Sequence, residues 1–270
     1  MGRKRAQRVP ADDSKSQHDP RPAPVPARPL PSLGADALAV VGMQKQTLRV
    51  ELRARRKACA PPSGSPQARQ LGEQVADVLE QAVDWSQVGA TAVYAAVGHE
   101  LDPAPLGQRL RARGIRTCYP RVRSKEPPQL DFVVIADEAE LVAAPFGLRE
   151  PHPDAASVPL SAIDVFVVPG LGFDPRGQRL GQGRAYYDRV LHAHSSALRV
   201  GVFHSCQQLS AVPCEPHDEG LDLVVTPTGC LVPLARPRHR LQREIASHGP
   251  ETPSVLVDSG TVCQPLEVKP

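Results

Sequence analysis

The sequence lacks the features that mark membrane and secreted proteins. No apolar run approaches the about 20 residues that a transmembrane helix needs, and no apolar segment of a signal peptide is present. The six cysteines include no CxxC pair, and their spacings match no zinc site. We therefore expect a cytoplasmic protein whose thiols are reduced.

The sequence also has little excess charge of either sign. The formal net charge is only +3, and residues 1–42 carry that whole excess, because they hold seven basic and four acidic side chains. The rest of the chain is close to neutral. Proteins whose main partner is nucleic acid usually have a basic domain, so this balance argues against nucleic acid as the main partner. We interpret the basic start GRKRAQR as a solvated tail, with a weak electrostatic tether as the alternative.

The sequence lacks a P-loop and the usual arrangements of a catalytic nucleophile. Its match to a dinucleotide-binding signature is weak. No GxxxxGK[ST] sequence occurs, which excludes a Walker-type P-loop. Gly181 and Gly183 form a GxG, but position 186 is a tyrosine, where the helix of a dinucleotide site needs a small residue for close packing. No Ser-His-Asp or Cys-His arrangement is evident. We expect no catalytic residue that acts as a covalent nucleophile.

Composition divides the chain into three parts. Residues 1–42 are rich in Pro, Arg, Ala and Asp, and include the run PRPAPVPARPLP, which is typical of polyproline II; we predict a disordered arm there. Residues 43–235 form the predicted α/β domain, and Met43 is a candidate internal start site. Residues 236–270 are predicted to be an irregular extension, although ARPRHRLQREIASH at its start could form a short helix.

Apolar periodicity predicts alternating helices and strands in the central part. The predicted helices cover residues 43–59, 67–81, 105–113 and 184–194. The predicted strands cover residues 91–97, 115–120, 130–135, 163–168, 199–203 and 221–225. Residues 163–168 are almost wholly apolar, as a strand covered on both faces should be. This pattern predicts a three-layer α/β/α domain with a mostly parallel sheet, and we favour a meander over a crossover around residues 130–135.

The densest chemical signal is the stretch VPGLGFDPRGQRLGQGRAYYDRVL at residues 168–191. Its five glycines suit a backbone that approaches a charged ligand closely and takes positive φ. Free backbone N–H groups beside a helix start form a site for phosphate. Arg179 and Arg184 add positive charge, and Asp188 can hold a hard cation such as Mg²⁺.

The same stretch closely resembles the signature of the 5-formyltetrahydrofolate cyclo-ligase family, roughly P-G-x-x-F-D-x-x-G-x-R-L-G-x-G-x-G-Y-Y-D-R. The one departure is Ala185, where the family usually has glycine; since alanine does not easily take positive φ, we expect a slightly altered loop. The resemblance covers roughly residues 45–225. It implies a fold similar to the ribose-phosphate isomerase and CoA-transferase group. It also implies ATP-dependent conversion of 5-formyltetrahydrofolate to 5,10-methenyltetrahydrofolate, with release of ADP and phosphate.

The resemblance implies nucleotide-binding roles for several residues. Lys45, Arg49 and Arg53 share one face of the first helix. A basic helical face is usually just solvated, but in the family the lysine and arginine at the places of Lys45 and Arg49 reach the phosphates of ATP. The other implied ligands of the nucleotide are Arg179, Gly181, Gly183, Arg184, Tyr186 and Tyr187.

Glu100 and Asp218 are implied at the folate and at the metal. The family has a glutamate at the place of Glu100 that contacts folate, and a carboxylate can accept two parallel hydrogen bonds from the amino group and ring N–H of a pterin-like ring. Tyr187 is implied to contact the substrate as well. Asp218, in a P-x-x-x-H-D segment, is implied to join Asp188 around Mg²⁺. On the residues alone, turn caps remain open as interpretations of Glu100 and Asp218.

Three further expectations concern the surroundings of this site. Asp174 and Arg179 are candidates for an ion pair that holds the glycine-rich loop. The segment FGLREP from Phe146, which also resembles a family landmark, is expected to be a structural turn near the pocket. His99 is expected to be a surface or pocket-wall histidine without a catalytic role.

Two other functions stay open from the sequence. One is another small-molecule kinase or ligase that keeps the ATP site and takes a different acceptor. The other is a non-catalytic ATP-binding protein of the same fold. The interpretation that we favour predicts a monomer with a small-molecule folate substrate and without a membrane or nucleic-acid partner.

Overall fold

The computed structural model describes residues 34–233 and 239–242. The four helices in these residues are α1 (Ala35–Cys59), α2 (Pro66–Ala82), α3 (Ala104–Ala112) and α4 (Tyr186–Ala193). The strands are β1 (Ala90–Ala92), β2 (Arg116–Lys125), β3 (Pro128–Val134), β4 (Val142–Ala143), β5 (Arg149–Glu150), β6 (Val165–Val168), β7 (Gly172–Phe173), β8 (Arg179–Leu180), β9 (Leu198–Val202), β10 (Leu223–Thr226) and β11 (Gly229–Leu231).

Seven strands form the central sheet, in the order β11-β10-β9-β6-β1-β2-β3. The inner strands from β10 to β2 are parallel, while β3 and β11 pair antiparallel at the two edges. The chain runs outward from β1 in one direction to β2 and in the other to β6, β9 and β10. This change of direction between β1 and β6 is the position at which open α/β sheets bind ligands, beyond the carboxyl ends of the strands.

Both faces of the sheet are covered, because β6 alternates its side chains between two apolar clusters. Val165 and Val167 pack into a cluster with residues of α2 and α3. Phe166 and Val168 point to the other face and pack into a cluster with residues of α4. This arrangement confirms the predicted three-layer α/β fold with a mostly parallel sheet.

Helix α1 covers neither face of the sheet. Its apolar residues Leu48 and Leu52 pack against Leu171, Leu180 and Leu209, which surround the small β7–β8 hairpin. The helix ends at Cys59, shortly before the pair Pro61-Pro62, since proline disfavours helical conformation in the residue that precedes it. Helix α1 therefore lies over the loops at the carboxyl edge of the sheet.

Several predicted boundaries were wrong. Helix α1 begins at Ala35, so residues 35–42 belong to a helix and not to the predicted arm. The strand predicted at residues 91–97 ends at Ala92, after which the chain leaves the sheet towards the site. The hairpin of β2 and β3 is antiparallel, as a meander requires. Most of the predicted arm (residues 1–33) and of the predicted extension (residues 236–238 and 243–270) lies outside the described residues.

The expectation of reduced thiols was wrong for Cys59 and Cys206, which form a disulfide. Their Cα atoms lie 6.8 Å apart, at the end of α1 and in the short turn after β9. Sequence spacing could not reveal this pair, because 147 residues separate the two cysteines. Cys118, Cys214 and Cys230 are free.

Among the described residues, no helix combines the length and the apolar character that a membrane crossing requires.

Candidate functional site

A cavity of about 670 Å³ opens at the carboxyl edge of the sheet. Its walls come from the loops that follow β1 and β6, from the start of α4, from the β2–β3 hairpin and from the turn at residues 145–148. Of the residues that the sequence pointed to, the cavity wall includes Arg53, Glu100, Phe146, Arg179, Gly181, Gly183, Arg184, Tyr186, Tyr187 and Asp188. The sequence stretch rich in glycine and the loop of Glu100 thus face one space.

The glycine-rich loop is held in shape by Asp174. This side chain is fully buried, and its Oδ1 accepts hydrogen bonds from the backbone N–H groups of Arg176 and Gln178, at 2.9 and 3.0 Å. Its Oδ2 accepts a hydrogen bond from the N–H of Val212 and forms an ion pair with Arg176. The expected ion pair between Asp174 and Arg179 was therefore wrong, because Arg176 is the closer partner along the chain.

Arg179 instead pairs with Asp188. Arg179 Nη2 donates to Asp188 Oδ1 at 2.7 Å, and the Arg179 side chain is only 3% exposed. Arg179 Nη1 also donates to the carbonyl of Pro169 at 3.3 Å, and the guanidinium lies 5.9 Å from the ring of Tyr187. The pair joins the end of the loop to the first turn of α4 and places a positive and a negative group side by side on the cavity wall.

Ala185, the residue before α4, has the backbone conformation that we expected alanine to avoid. Ala185 has φ 53° and ψ 19°, which is the left-handed region. Gly183, two residues earlier, has φ +95°, and a Cβ there would lie 3.1 Å from Arg49 Cζ. The tight bend therefore persists with alanine at position 185, and Gly183 is needed for the close approach of α1.

Helix α1 contacts this loop through its basic face. Arg49 Nε donates to the carbonyl of Gly181 at 3.1 Å, and Arg53 donates from Nε and Nη2 to Gln182 Oε1. Burial, with Arg53 nearby, lowers the pKa of Arg49. Two segments that are distant in the sequence thus lie side by side, although Arg49 itself stands behind the cavity wall.

Lys45 lies on the same face of α1 as Arg53, two turns earlier, but is not part of the cavity wall. The side chain is 5% exposed, and its Nζ donates to Glu215 Oε2 at 2.6 Å and to Asp218 Oδ2. This hydrogen bond lowers the pKa of Glu215. The structure therefore brings Lys45 and Asp218 together, and not Lys45 and the cavity. Glu215, His217 and Asp218 have ligand atoms within 4.8 Å of one another.

Glu100 is the buried carboxylate of the cavity. Its side chain is 13% exposed, and its Oε2 accepts a hydrogen bond from the N–H of Val97 at 3.2 Å. Arg56 Nη1 lies 3.6 Å from the other oxygen, Oε1. Burial raises the pKa of Glu100, and Arg56 acts in the opposite direction. His99 lies next to it in the chain, but its Nδ1 faces the carbonyl of Ala60 at 2.8 Å.

Sequence reasoning missed Arg56 on the cavity wall, and gave Phe146 no role beyond a structural turn near the pocket. Arg56 follows Arg53 by three residues and so continues the same helical stripe, a signal that was available. Phe146 is 72% exposed with φ 66°, and Lys125 and Arg184 lie 5.9 and 5.2 Å from the centre of its ring. The sequence indicated only a structural turn there, because nothing in the local pattern places two cations beside the ring.

Comparisons with known proteins agree on one family. The sequence profile of the 5-formyltetrahydrofolate cyclo-ligase family matches residues 41–227. A protein of Escherichia coli K12 named 5-formyltetrahydrofolate cyclo-ligase is 34% identical over 180 residues, which cover 66% of this chain and 97% of that protein. The matched residues include the glycine-rich loop, the loop of Glu100 and α1 from residue 41 to its end.

Two solved structures resemble the fold. The NMR structure of the 5,10-methenyltetrahydrofolate synthetase of Aquifex aeolicus has a TM-score of 0.60 and 26% identity, and covers 76% of this chain and 99% of that one. The synthetase of Mycoplasma pneumoniae has a TM-score of 0.52 at 21% identity, with 68% and 98% covered, and supports the fold alone.

Proposed function

The chain belongs to the 5-formyltetrahydrofolate cyclo-ligase family, and from this membership we propose that it converts 5-formyltetrahydrofolate to 5,10-methenyltetrahydrofolate at the expense of ATP. One observation carries the proposal beyond family membership. A buried carboxylate, Glu100, and a glycine-rich loop with its Arg179–Asp188 pair line the same cavity of about 670 Å³. That combination suits a nucleotide and a pterin-like ring bound side by side.

The reaction needs activation of a poor leaving group. Transfer of the γ-phosphoryl group of ATP to the formyl oxygen turns that oxygen into part of a phosphate ester. The N10 nitrogen then attacks the formyl carbon and loses its proton, the ring closes, and the oxygen leaves as inorganic phosphate. No protein nucleophile takes part, so the protein acts by positioning both substrates and by stabilising charge.

The nucleotide end of the site is assigned to the loop and to α1. Gly181, Gly183 and Arg184 lie at the mouth of the loop, where backbone N–H groups and the positive end of α4 favour phosphate. Arg49 and Arg179 contribute cations that are already held in place by hydrogen bonds to Gly181 and Asp188. Tyr186 and Tyr187 line the cavity beside them.

Lys45 fits a less direct role. Its ammonium is bonded to Glu215 and Asp218, so it meets a phosphate only if one of these bonds is exchanged. We assign Lys45 to the nucleotide-binding residues because a triphosphate needs several cations. Its neighbour Arg49 lies one turn further along α1, and the charge of Asp218 acts to raise the pKa of Arg49.

A magnesium ion fits the donor set of the site. Mg²⁺ is typically bound through one or two carboxylates together with phosphate oxygens. Asp188 uses Oδ1 for Arg179, and Asp218 uses Oδ2 for Lys45, so each carboxylate keeps a second oxygen that could serve as a ligand. Asp188 and Asp218 would hold the ion, which would neutralise charge on the phosphates.

Glu100 is assigned to the folate. A carboxylate that is buried on the cavity wall accepts paired N–H donors more strongly than one in water, because water does not compete for it. Tyr94 and Tyr187 stand close enough that the charge of Glu100 contributes, after burial, to their raised pKa values. Both phenols are therefore neutral at physiological pH, and Tyr187 is placed to contact the substrate.

The alternative of a non-catalytic or altered-substrate ATP-binding paralogue is not favoured. The 34% identity to a cyclo-ligase covers 97% of that relative, and Ala185 keeps the left-handed bend that glycine would supply. An enzyme that uses another acceptor would be insensitive to Glu100→Ala, whereas the proposed reaction requires this carboxylate.

We also propose that the protein acts as a monomer, because Glu100 and the glycine-rich loop meet in a cavity that is formed within a single copy of the chain, and that it acts in the cytoplasm. Size-exclusion chromatography with light scattering checks the first part. A dimer whose partner inserts a residue into the cavity would contradict it.

The decisive experiment mixes the purified protein, MgATP and 5-formyltetrahydrofolate and follows the absorbance of the methenyl product. We expect product formation that depends on both substrates and on Mg²⁺, and that is lost in Asp188→Ala. Phosphate release without the methenyl product would indicate a different acceptor, and the absence of both products would refute the proposed activity.

A further inference from the structure

Arg56 is a buried arginine on the wall of the cavity. It is 9% exposed and lies on α1, at the end of the helix that approaches the loop of Glu100. Its Nη1 donates to the carbonyl of Gly170 at 3.3 Å and lies 3.6 Å from Glu100 Oε1. The guanidinium is therefore held between the loop that follows β6 and the loop that follows β1.

The carbonyl that anchors Arg56 is itself fixed. Gln207 Nε2 donates to the carbonyls of Gly170 and Leu171, at 2.9 and 3.0 Å. Gln207 lies in the short turn that contains Cys206, and Cys206 is bonded to Cys59, one helical turn after Arg56. The position of the guanidinium is thus set from both sides, which is what a group that orients another side chain requires.

The hydrogen bonds of Glu100 within the protein allow its carboxylate to accept two parallel N–H groups from a ligand. A carboxylate offers about four lone pairs on its two oxygens. The N–H of Val97 takes one on Oε2, and Arg56 faces one on Oε1. The side chain of Gln182 is a further hydrogen-bond partner of Glu100, so two parallel N–H donors of the substrate would take one remaining lone pair and the place of Gln182.

We infer that Arg56 is a positioning residue for folate recognition: its guanidinium, held at the carbonyl of Gly170, keeps the buried Glu100 carboxylate turned so that both oxygens can accept N–H groups of the substrate. This inference rests on the proposed function, in which Glu100 meets the pterin-like ring. Arg56 touches neither reacting atom, and acts through Glu100 alone.

The other titratable groups that face Glu100 do not replace Arg56. Burial raises the pKa values of Tyr94 and Tyr187, so both are neutral. Burial, with the charge of Arg56, lowers the pKa of His204 to about 4, so this histidine is neutral at physiological pH. Arg56 makes the largest charge contribution that favours the ionised form of Glu100.

The test compares Arg56→Gln and Arg56→Lys in the wild-type background and in Glu100→Gln, with Lys57→Gln as the matched control. Lys57 is the next residue of α1, is exposed, and loses one positive charge in the same way. KM for 5-formyltetrahydrofolate, KM for ATP and kcat are measured, together with the Kd for 5-formyltetrahydrofolate by calorimetry without ATP.

We expect Arg56→Gln to raise the KM and Kd for the folate by about tenfold or more, because hydrogen bonds to a charged acceptor are lost. KM for ATP should stay unchanged, Arg56→Lys should restore most of the affinity, and Lys57→Gln should behave as wild type. In the Glu100→Gln background, Arg56→Gln should have little further effect. The acidic limb of the pH profile of kcat/KM should also move to higher pH in Arg56→Gln.

If Arg56 has only a structural role, Arg56→Gln should weaken folate binding equally in the wild-type and Glu100→Gln backgrounds. A folded Arg56→Gln protein whose Kd for the folate is unchanged would also overturn the inference. If Arg56→Gln does not fold, Arg56→Lys decides, since a loss as large as that of Glu100→Gln contradicts the role of charge. A wild-type protein that binds the folate but forms no methenyl product refutes the proposed function and leaves the role of Arg56 open to the same calorimetry. A wild-type protein that does not bind the folate refutes both.

Discussion

Arg179 and Asp188 form a nearly buried ion pair at the point where the glycine-rich loop becomes α4. Arg179 Nη2 lies 2.7 Å from Asp188 Oδ1, and the side chains are 3% and 16% exposed. The two residues are far enough apart in the chain that the intervening loop must fold back on itself to join them. The pair therefore links the shape of the loop to the charge that the cavity presents.

Replacing Asp188 should harm activity more than stability. In Asp188→Asn the oxygen that accepts from Arg179 remains but the charge does not, so we expect unfolding to become easier by about 2 kcal/mol. The proposed role at the metal predicts a fall in kcat of roughly two orders of magnitude. Thermal unfolding and the methenyl assay measure the two effects.

Asp77→Asn is the control for this change. Asp77 pairs with Arg109 on the surface and is 58% exposed, so its loss should cost less than about 1 kcal/mol and leave kcat unchanged. Equal effects of both substitutions on kcat would argue against any special role of Asp188.

Gly183→Ala should disturb the contact between α1 and the loop. The added Cβ would lie 3.1 Å from Arg49 Cζ, at a residue whose φ is +95°. We expect a loss of stability of about 2 kcal/mol or more from the backbone conformation and the contact together, and a raised KM for ATP. Gly64→Ala measures the cost of the backbone conformation without the contact, because Gly64 has φ +81° and a Cβ added there would meet no atom within 4 Å. A KM for ATP that is unchanged in Gly183→Ala would contradict the assignment of this loop to the nucleotide.

Ala185→Gly should stabilise the protein. Ala185 sits at φ 53°, where an L-residue is disfavoured by about 1–2 kcal/mol and glycine is not. Part of that gain is offset by the greater freedom of glycine in the unfolded chain, so we expect a net gain of about 0.5–1 kcal/mol. Activity should be equal to or higher than that of wild type.

Ala193→Gly provides the comparison for Ala185. Ala193 is the exposed last residue of α4, and the same substitution there should lower stability by up to about 1 kcal/mol. Chemical denaturation of the three proteins measures both differences. A loss of stability in Ala185→Gly would show that the left-handed bend does not persist in solution.

The pH dependence of folate binding should report Glu100. Burial raises its pKa above the ordinary value of 4.5, and only the ionised form accepts two N–H donors. Affinity for 5-formyltetrahydrofolate should therefore fall as the pH drops through this raised pKa, starting at higher pH than for an ordinary glutamate. Calorimetric titration of wild type and Glu100→Gln checks this, because the variant should bind weakly and lose the acid-side dependence.

Removal of residues 1–42 should leave kcat and both KM values unchanged. Residues 36–42 belong to α1, but none of them is buried, and the contacts of the helix with the site begin at Lys45. A truncated protein that starts at Met43 and has lost activity would show that the preceding residues contribute to the site. Circular dichroism of the truncated protein separates a local effect from a loss of folding.

Local chemistry explains which parts of the fold could be predicted. Strand β6 was predicted because a strand covered on both faces must be apolar throughout. Strand β1 was predicted too long, since the apolar run continues as Val93 and Tyr94, which are buried by tertiary packing outside the strand. Composition alone does not distinguish these two reasons for an apolar residue.

In the candidate site, too, the sequence indicated the residue types but not the contacts between them. The glycine-rich stretch and the loop of Glu100 were recognisable because their residue types are unusual at that spacing. The ion-pair partner of each charged residue could not be recognised from the sequence. In the structure, Asp174 pairs with Arg176, Arg179 with Asp188, and Lys45 with Glu215 and Asp218. Opposite charges within reach in the sequence are numerous, and only the folded backbone determines which of them meet.

The sequence by itself determined the α/β class, the loop that can approach an anion, and the family to which the chain belongs, because each depends on residue types at short, regular spacings. Only the tertiary structure decided that α1 lies across the carboxyl edge of the sheet, that Arg56 faces Glu100, and that Cys59 meets Cys206. These contacts join residues that are far apart in the chain. They arise from the burial of Leu48 and Leu52 against the loop, which local propensity does not encode.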